Sequence, residues 1–203
     1  MKFSALALLL TLSFVAPAHA LIELKGGYSL HNVTPTELND AFASYPKIET
    51  MESISADVTT SVPGIPFGLG VRYETIKKTV TSGANSSKID WVRTSVLMNK
   101  RWIDTGFYVG PIATISVTND FKYTTDNGTD VTYKAGNPIT GTVGFEAGAK
   151  LIILRLGGEV GYMYAPMAEI KDPSGTAVVG ASGSAINVDM SGVYYRATVG
   201  FGF

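Results

Sequence analysis

Apolar and polar residues alternate along most of this chain, in stretches of about ten to thirteen residues. A period of two sends successive side chains to opposite faces of a β-strand, so each stretch predicts a strand with two unlike faces. Eight are legible, over roughly 21–30, 52–62, 67–77, 89–99, 106–118, 139–149, 154–164 and 190–203. One parity reads Ile22, Leu24, Gly26, Tyr28 in the first and Phe107, Val109, Pro111, Ala113, Ile115, Val117 in the fifth. It carries no charge over positions 22–28, 54–60, 67–73, 92–98, 107–117, 139–147, 154–164 and 193–203. The opposite parity carries Glu23, Lys25, Asp57, Arg72, Glu74, Arg93, Glu146, Arg155, Glu159 and Arg196, five acids and five bases, among Ser, Thr and Gly.

Alternation alone does not separate a soluble sandwich, which buries its apolar face, from a membrane barrel, which turns that face to lipid. Length, count and rhythm do. The stretches exceed the usual five or six residues and suit a tilted membrane crossing. Their number is even. The connections alternate long and short, with Pro63-Gly64-Ile65-Pro66, Lys100 to Thr105 and the region Lys150 to Ile153 as the short ones. The pattern therefore predicts an all-β fold, an eight-stranded antiparallel up-and-down transmembrane β-barrel with long external loops and short periplasmic turns.

The N-terminus is set apart from this pattern. Met1-Lys2 supplies a positive start, Ala5 to Val15 an apolar run, and Ala18-His19-Ala20 an A-x-A cleavage site. The run is too short for the ~20 residues that span a bilayer, so residues 1–20 read as a cleaved signal peptide. The mature chain, 21–203, reads as a single exported domain. After the signal, the longest aliphatic run is Leu151-Ile152-Ile153-Leu154, and no transmembrane helix is expected.

Composition narrows the chemistry. Sixteen basic against seventeen acidic residues give a net charge of −1, which does not provide the basic footprint of a nucleic-acid binder. The absence of Cys removes disulfides, thiolate metal sites and cysteine nucleophiles. Charged residues are 16% of the chain, below the roughly 25% of soluble domains, and mean hydropathy is positive. No cofactor motif is present.

The chain ends Tyr195-Arg196-Ala197-Thr198-Val199-Gly200-Phe201-Gly202-Phe203. That ending resembles the C-terminal signal read by the barrel-assembly machinery, with Tyr195, Val199, Phe201 and Phe203 in the alternating positions. With the signal peptide and eight strands, the chain resembles the small OmpA/OmpX-type outer-membrane barrels. The resemblance implies an outer-membrane location, monomeric barrels bathed in outer-membrane lipid and lipopolysaccharide, and periplasmic chaperones during biogenesis. It implies no enzymatic activity. The peptidoglycan-binding domain of full-length OmpA-like proteins has no counterpart here, so cell-wall tethering is not carried over.

Eight strands enclose a lumen that side chains fill. The ten inward charges then read as a register-fixing polar network, with an ion path as the alternative. Strand closure is expected to bring Arg196 near Glu23 or its neighbours. A narrow passage for small or apolar solutes would draw on Trp91, Leu97, Ile112 and Met163 of the same face. Thr34-Pro35-Thr36-Glu37 has the form of a capping box with Pro at the first helical position, followed by Leu38, Ala41, Phe42 and Tyr45 on one helical face. Asn127-Gly128 predicts a type I′ hairpin turn between Phe121-Lys122-Tyr123 and Val131-Thr132-Tyr133. The acids around it lack the ligand order of a calcium loop. His31, at the external end of the first strand near Ser29 and Asn32, is the candidate for a lipid A-modifying site, though no nucleophile elbow accompanies it. The leading expectation is a non-enzymatic barrel serving envelope integrity or surface binding through its external loops.

Overall fold

In a computed structural model, which describes residues 22–61, 65–136, 139–180 and 183–203, eight strands close into one antiparallel barrel. The proposed signal peptide, 1–20, and part of the turn at Pro63 lie outside the described residues. In chain order the elements are β1 (Ile22–Val33), α1 (Thr36–Ala41), β2 (Thr50–Ser61), β3 (Gly68–Ser82), β4 (Asn85–Asn99), β5 (Ile103–Asp104) and β6 (Phe107–Asp126). They continue with β7 (Asp130–Ala135), β8 (Gly141–Leu151), β9 (Leu154–Tyr164), β10 (Pro166–Lys171), β11 (Asn187–Asp189) and β12 (Gly192–Gly202). The ring runs β1–β2–β3–β4–β6–β8–β9–β12 and returns to β1, where Glu23 lies opposite Gly202 and Val33 opposite Gly192. A closed ring leaves no unpaired strand edge, the condition for a sheet in hydrocarbon.

Several strands run well past a membrane crossing. β6 has 20 residues, about 66 Å of strand against a hydrocarbon core of ~30 Å. Its outer half leaves β8 and pairs with β7, which pairs with β10, which pairs with β11. The expected loop between Lys78 and Lys88 is instead a tight hairpin. Ser82 pairs with Asn85 and Gly83 takes a positive φ of 60°. The other ribbon departs from the type I′ expectation as well. Asp126 pairs with Asp130, leaving a three-residue tip. Only Gly128 has positive φ there, at 103°, and its N–H donates to Asp126 Oδ1 at 2.7 Å. The Asp126 carboxylate makes an Asx turn, which takes the place of a second residue with φ > 0.

The two faces exchange character along these long strands. In the lower part Val92, Thr94, Val96 and Met98 of β4 face out while Arg93 and Ser95 face in. In the upper part Lys88 and Asp90 face out while Ser87, Ile89 and Trp91 are buried. β6 adds a correction of phase. Thr94 pairs with Thr118 but Ser95 with Ser116, so Val117 is an extra residue. This bulge flips the parity and turns Phe121 and Tyr123 inward; unbulged, Asp120 and Lys122 would enter the core.

The upper interior is an apolar plug. Ile76, Ile89, Trp91, Phe121, Tyr123, Met51, Met163, Met167, Met190 and Ile170 pack with Leu38 and Phe42 from α1 and its exit, and with Ile48. Phe42 sits 4.9 Å from the ring centroids of both Tyr123 and Tyr133. The helix forms where expected, but without the capping box. Pro35 is the N-cap and no side chain caps it; Thr36 Oγ1 instead donates to Thr34 O at 3.3 Å. What holds the segment is Asn39, which accepts from Ile48 N and donates to Ile48 O, both at 3.0 Å.

Candidate functional site

Below the plug, all ten charges of the inward parity are buried, and the register explains how they meet. Asp57 and Arg72 are direct partners across β2 and β3, as are Glu159 and Arg196 across β9 and β12. The two pairs face each other across the lumen with opposite order. Arg72 donates from Nε to Asp57 Oδ1 (3.0 Å) and from Nη2 to Glu159 Oε2 (2.8 Å). Arg196 spans the same two carboxylates, from Nη1 to Asp57 Oδ2 (2.9 Å) and to Glu159 Oε2 (3.1 Å). The result is a ring of alternating charge. Arg196 Nε also donates to Ser55 Oγ at 2.9 Å, and the Tyr194 hydroxyl donates to Glu159.

A second cluster closes the lower end. Lys25 Nζ lies 3.0 Å from Glu146 Oε2. Arg101 donates twice to Glu23, both at 2.7 Å, and from Nε to Glu146 Oε1 at 3.1 Å. Arg155 adds a longer bond to Glu23 at 3.3 Å, Asn99 donates to Glu146 at 2.6 Å, and Lys150 pairs with Asp104. Arg196 is thus not beside Glu23. Closure sets Glu23 against Gly202, so Arg196 lies opposite Ser29, further up the barrel.

Arg101 was missed because the expected strand ended at residue 99; the ladder to β6 runs on, with Lys100 N donating to Pro111 O and Trp102 N to Val109 O, so residue 101 keeps the inward odd parity of β4. Its guanidinium lies 4.4 Å from the Tyr108 ring centroid. Two glycines make room for that ring: a Cβ at Gly148 would come to 2.5 Å of Tyr108 Cζ, and one at Gly157 would collide with its hydroxyl. Paired glycines on adjacent strands were the legible signal of a large inward neighbour.

The third cluster lies where polar lumen meets apolar plug. Glu74 accepts from Ser53 Oγ and from Arg93 Nε, both at 2.6 Å. His31 Nε2 is 3.1 Å from Ser53 Oγ and 3.4 Å from Glu74 Oε1, and its ring stacks on Tyr194. The placement of His31 at the external end of the first strand is corrected here. β1 continues past residue 30 to Val33, and the even spacing from Glu23 keeps residue 31 pointing inward, 1% exposed. Ser53 Oγ donates its hydrogen bond to Glu74 rather than to His31, and the plug lies above it, so the trio is not arranged as a nucleophile with its base. Trp91 and Met163 belong to the plug itself, and Leu97 and Ile112 are buried below it. Among the described residues no group of three or more His, Asp or Glu could hold a metal ion.

The outer wall of the lower barrel is apolar and exposed. Leu24, Tyr28, Ile54, Val58, Val71, Tyr73, Val143, Phe145, Leu156, Val160 and Tyr162 all face outward. Tyr195, Val199, Phe201 and Phe203, the positions of the terminal motif, belong to this surface. No helix among the described residues is long and apolar enough to cross a membrane, so any crossing falls to the strands.

No family model matches the chain, and no curated protein sequence matches it. Solved structures do. Ail, the attachment invasion locus protein of Yersinia pestis, solved with the heparin analogue sucrose octasulfate, superposes with a TM-score of 0.57 at 8% identity, over 90% of this chain and 97% of Ail. Neisserial surface protein A gives 0.56 at 12% identity, over 90% and 97%. A major outer membrane protein from Thermus thermophilus gives 0.54 at 13% identity, over 89% and 99%. The chain has the fold of these eight-stranded outer-membrane barrels, across nearly their whole length.

Proposed function

We propose that the protein is an integral outer-membrane barrel with a plugged, non-conducting body and a surface-binding or envelope-integrity role carried by its external sheet. The supporting observation is the double seal. The ring of Asp57, Arg72, Glu159 and Arg196 and the Arg101 cluster fill the lower lumen, and an apolar plug tied to α1 fills the upper part. An ion entering would have to part charge-assisted bonds below and cross a dry apolar layer above. The continuous apolar outer wall supports insertion, since each charge there would cost about 2–4 kcal/mol near the midplane. In this reading residues 1–20 direct export, and the Tyr195, Val199, Phe201, Phe203 face serves twice: first as the strand read by the barrel-assembly machinery, then as lipid-facing wall. Lipid and lipopolysaccharide are the surrounding partners, periplasmic chaperones act in transit, and the barrel works as a monomer without cofactor or catalysis.

The test is refolding into detergent and lipid vesicles, followed by planar-bilayer recording. The reading expects a heat-modifiable band on cold gels, external protease sensitivity at the ribbon tips in cells, and no sustained large-conductance steps. Steady, salt-proportional conductance, or a changed lipid A mass in cells expressing the protein, would overturn it.

A further inference from the structure

Three lysines stand side by side on the outer wall of the external sheet. Lys134 of β7 is the direct register partner of Lys122 on β6 and of Lys171 on β10. Phe121, Tyr123 and Ile170, next to Lys122 and Lys171, are buried in the plug, and Tyr133 and Ala135, next to Lys134, pack against it, so all three lysines belong to the opposite, sideways-facing surface. Like charges directly opposite one another on adjacent strands repel. A sheet that keeps three in a row carries a feature its own folding does not favour.

The acids nearby neutralise Lys122, which pairs with Asp120 and has Asp90 as its register partner on β4, but among the described residues they leave Lys134 and Lys171 without an ion pair. Asp120 is committed to Lys122 at 2.8 Å, and Asp90 to Lys88 at 2.7 Å. Asp172 accepts from Ser174 N, Ser174 Oγ and Thr176 N within its own turn. Glu169, two residues before Lys171, shares its face. Among the described residues Lys134 and Lys171 have no ion pair, and both line an open cleft of about 690 Å³ together with Glu169, Asp172, Ala135, Gly136 and Pro173.

Height indicates the occupant. Lys122 stands five residues above Val117, the last exposed apolar residue of β6. At ~3.3 Å per residue and a tilt of about 40°, that is about 12 Å above the apolar wall. A side-facing row at that level meets the headgroups of the surrounding leaflet. We propose that Lys134 and Lys171, beside the Asp120-paired Lys122, form a docking pair for the phosphate groups of an anionic glycolipid in that leaflet. The inference rests on the outer-membrane reading above and gives it a specific lipid contact. A phosphate between Lys134 and Lys171 accepts from both ammonium groups and relieves their repulsion, and charge-assisted bonds of this kind are the strong ones.

The experiment uses the refolded full barrel in a neutral detergent, titrated with bisphosphorylated lipid A and followed by native mass spectrometry and thermal unfolding. Wild type should bind and unfold at a higher temperature with the lipid present. Lys134→Ala/Lys171→Ala should bind about thirtyfold more weakly. Lipid-free, that variant should be at least as heat-resistant as wild type, because repulsion is gone. A Lys47→Ala/Lys78→Ala variant, with the same loss of charge elsewhere, should bind as wild type does. Lipid A stripped of its phosphates should bind no better than it does to the double variant, and soluble tripolyphosphate should bind far more weakly than the lipid. Equal lipid affinity in wild type and double variant overturns the proposal, as does soluble tripolyphosphate binding as tightly as the lipid. Failure of the barrel to insert into vesicles at all would instead overturn the outer-membrane reading, and is scored separately by heat-modifiability.

Discussion

Removing Arg72 tests whether the lumen ring is balanced by charge or merely filled. Arg72 makes four bonds, two to Asp57 at 3.0 and 3.1 Å and two to Glu159 at 3.1 and 2.8 Å. Arg72→Ala leaves two buried carboxylates sharing Arg196 alone, a net excess of one negative charge in the ring. Breaking a buried pair in this way costs about 3–5 kcal/mol, and because Arg196 still reaches both acids the lower figure applies, about 3 kcal/mol. Adding Asp57→Asn restores neutrality, with Glu159 paired to Arg196 and the amide still able to accept from it. The double variant should therefore be more stable than Arg72→Ala alone, by about 1–2 kcal/mol, an interaction energy of the sign that only charge coupling produces. Urea unfolding in lipid vesicles, followed by the fluorescence of Trp91 and Trp102, measures both. If the second substitution adds to the first loss instead of reversing part of it, the ring is packing material and the electrostatic account is refuted.

Val143→Arg should lower stability in lipid vesicles by about 2–4 kcal/mol, because residue 143 is exposed on the apolar outer wall of β8; a loss well below that range would move the membrane boundary. Deleting Phe203 should sharply reduce surface levels in cells while leaving the pre-folded barrel resistant to unfolding in detergent, since its side chain is exposed on the outer wall and its backbone adds only the terminal pair with Ile22 to the closing ladder; unchanged surface levels would end the assembly-signal reading. In the external β10–β11 segment, the Ser174 hydroxyl, with the N–H groups of Thr176 and others in the turn, holds the Asp172 carboxyl below the usual carboxylate range. A depressed pKa means the turn is favoured above the unfolded value of ~3.9 and loses that support as pH falls through the folded one. Carboxyl NMR should show the midpoint rising toward the ordinary value in Ser174→Ala, and an unmoved midpoint would assign the depression elsewhere.

Period-two alternation was enough to read eight strands, their faces and the lipid-facing parity, because in hydrocarbon a strand has no latitude: each outward position must be apolar and each backbone group paired. The same constraint made the ten inward charges legible one by one. The external half was harder to read, and the reason is physical. Above the membrane the outer face meets water, so the rule inverts and charge moves outside while Ile89, Trp91 and Tyr123 move in. A single parity rule stops the strands where it fails, which is why it ends β3 near residue 77, starts β4 near residue 89 and takes a hairpin for a loop.

Residue types along the strands determined the architecture of this protein, the composition of its lumen and the absence of thiol chemistry, all local or periodic properties carried by single positions. Partnership was decided only in three dimensions. Whether Arg196 meets Glu23 or Asp57 depends on the shear of the closed ring, a relation between residues 139 positions apart that no periodicity encodes. Arg101 enters the lumen because the ladder between β4 and β6 runs on past Asn99. One extra residue at Val117 exchanges the faces of all that follows in β6, and sets Lys122 in line with Lys134 and Lys171. Faces follow from the alternation of Cβ atoms along one strand, whereas contacts follow from register between strands, which closure of the whole barrel sets at once.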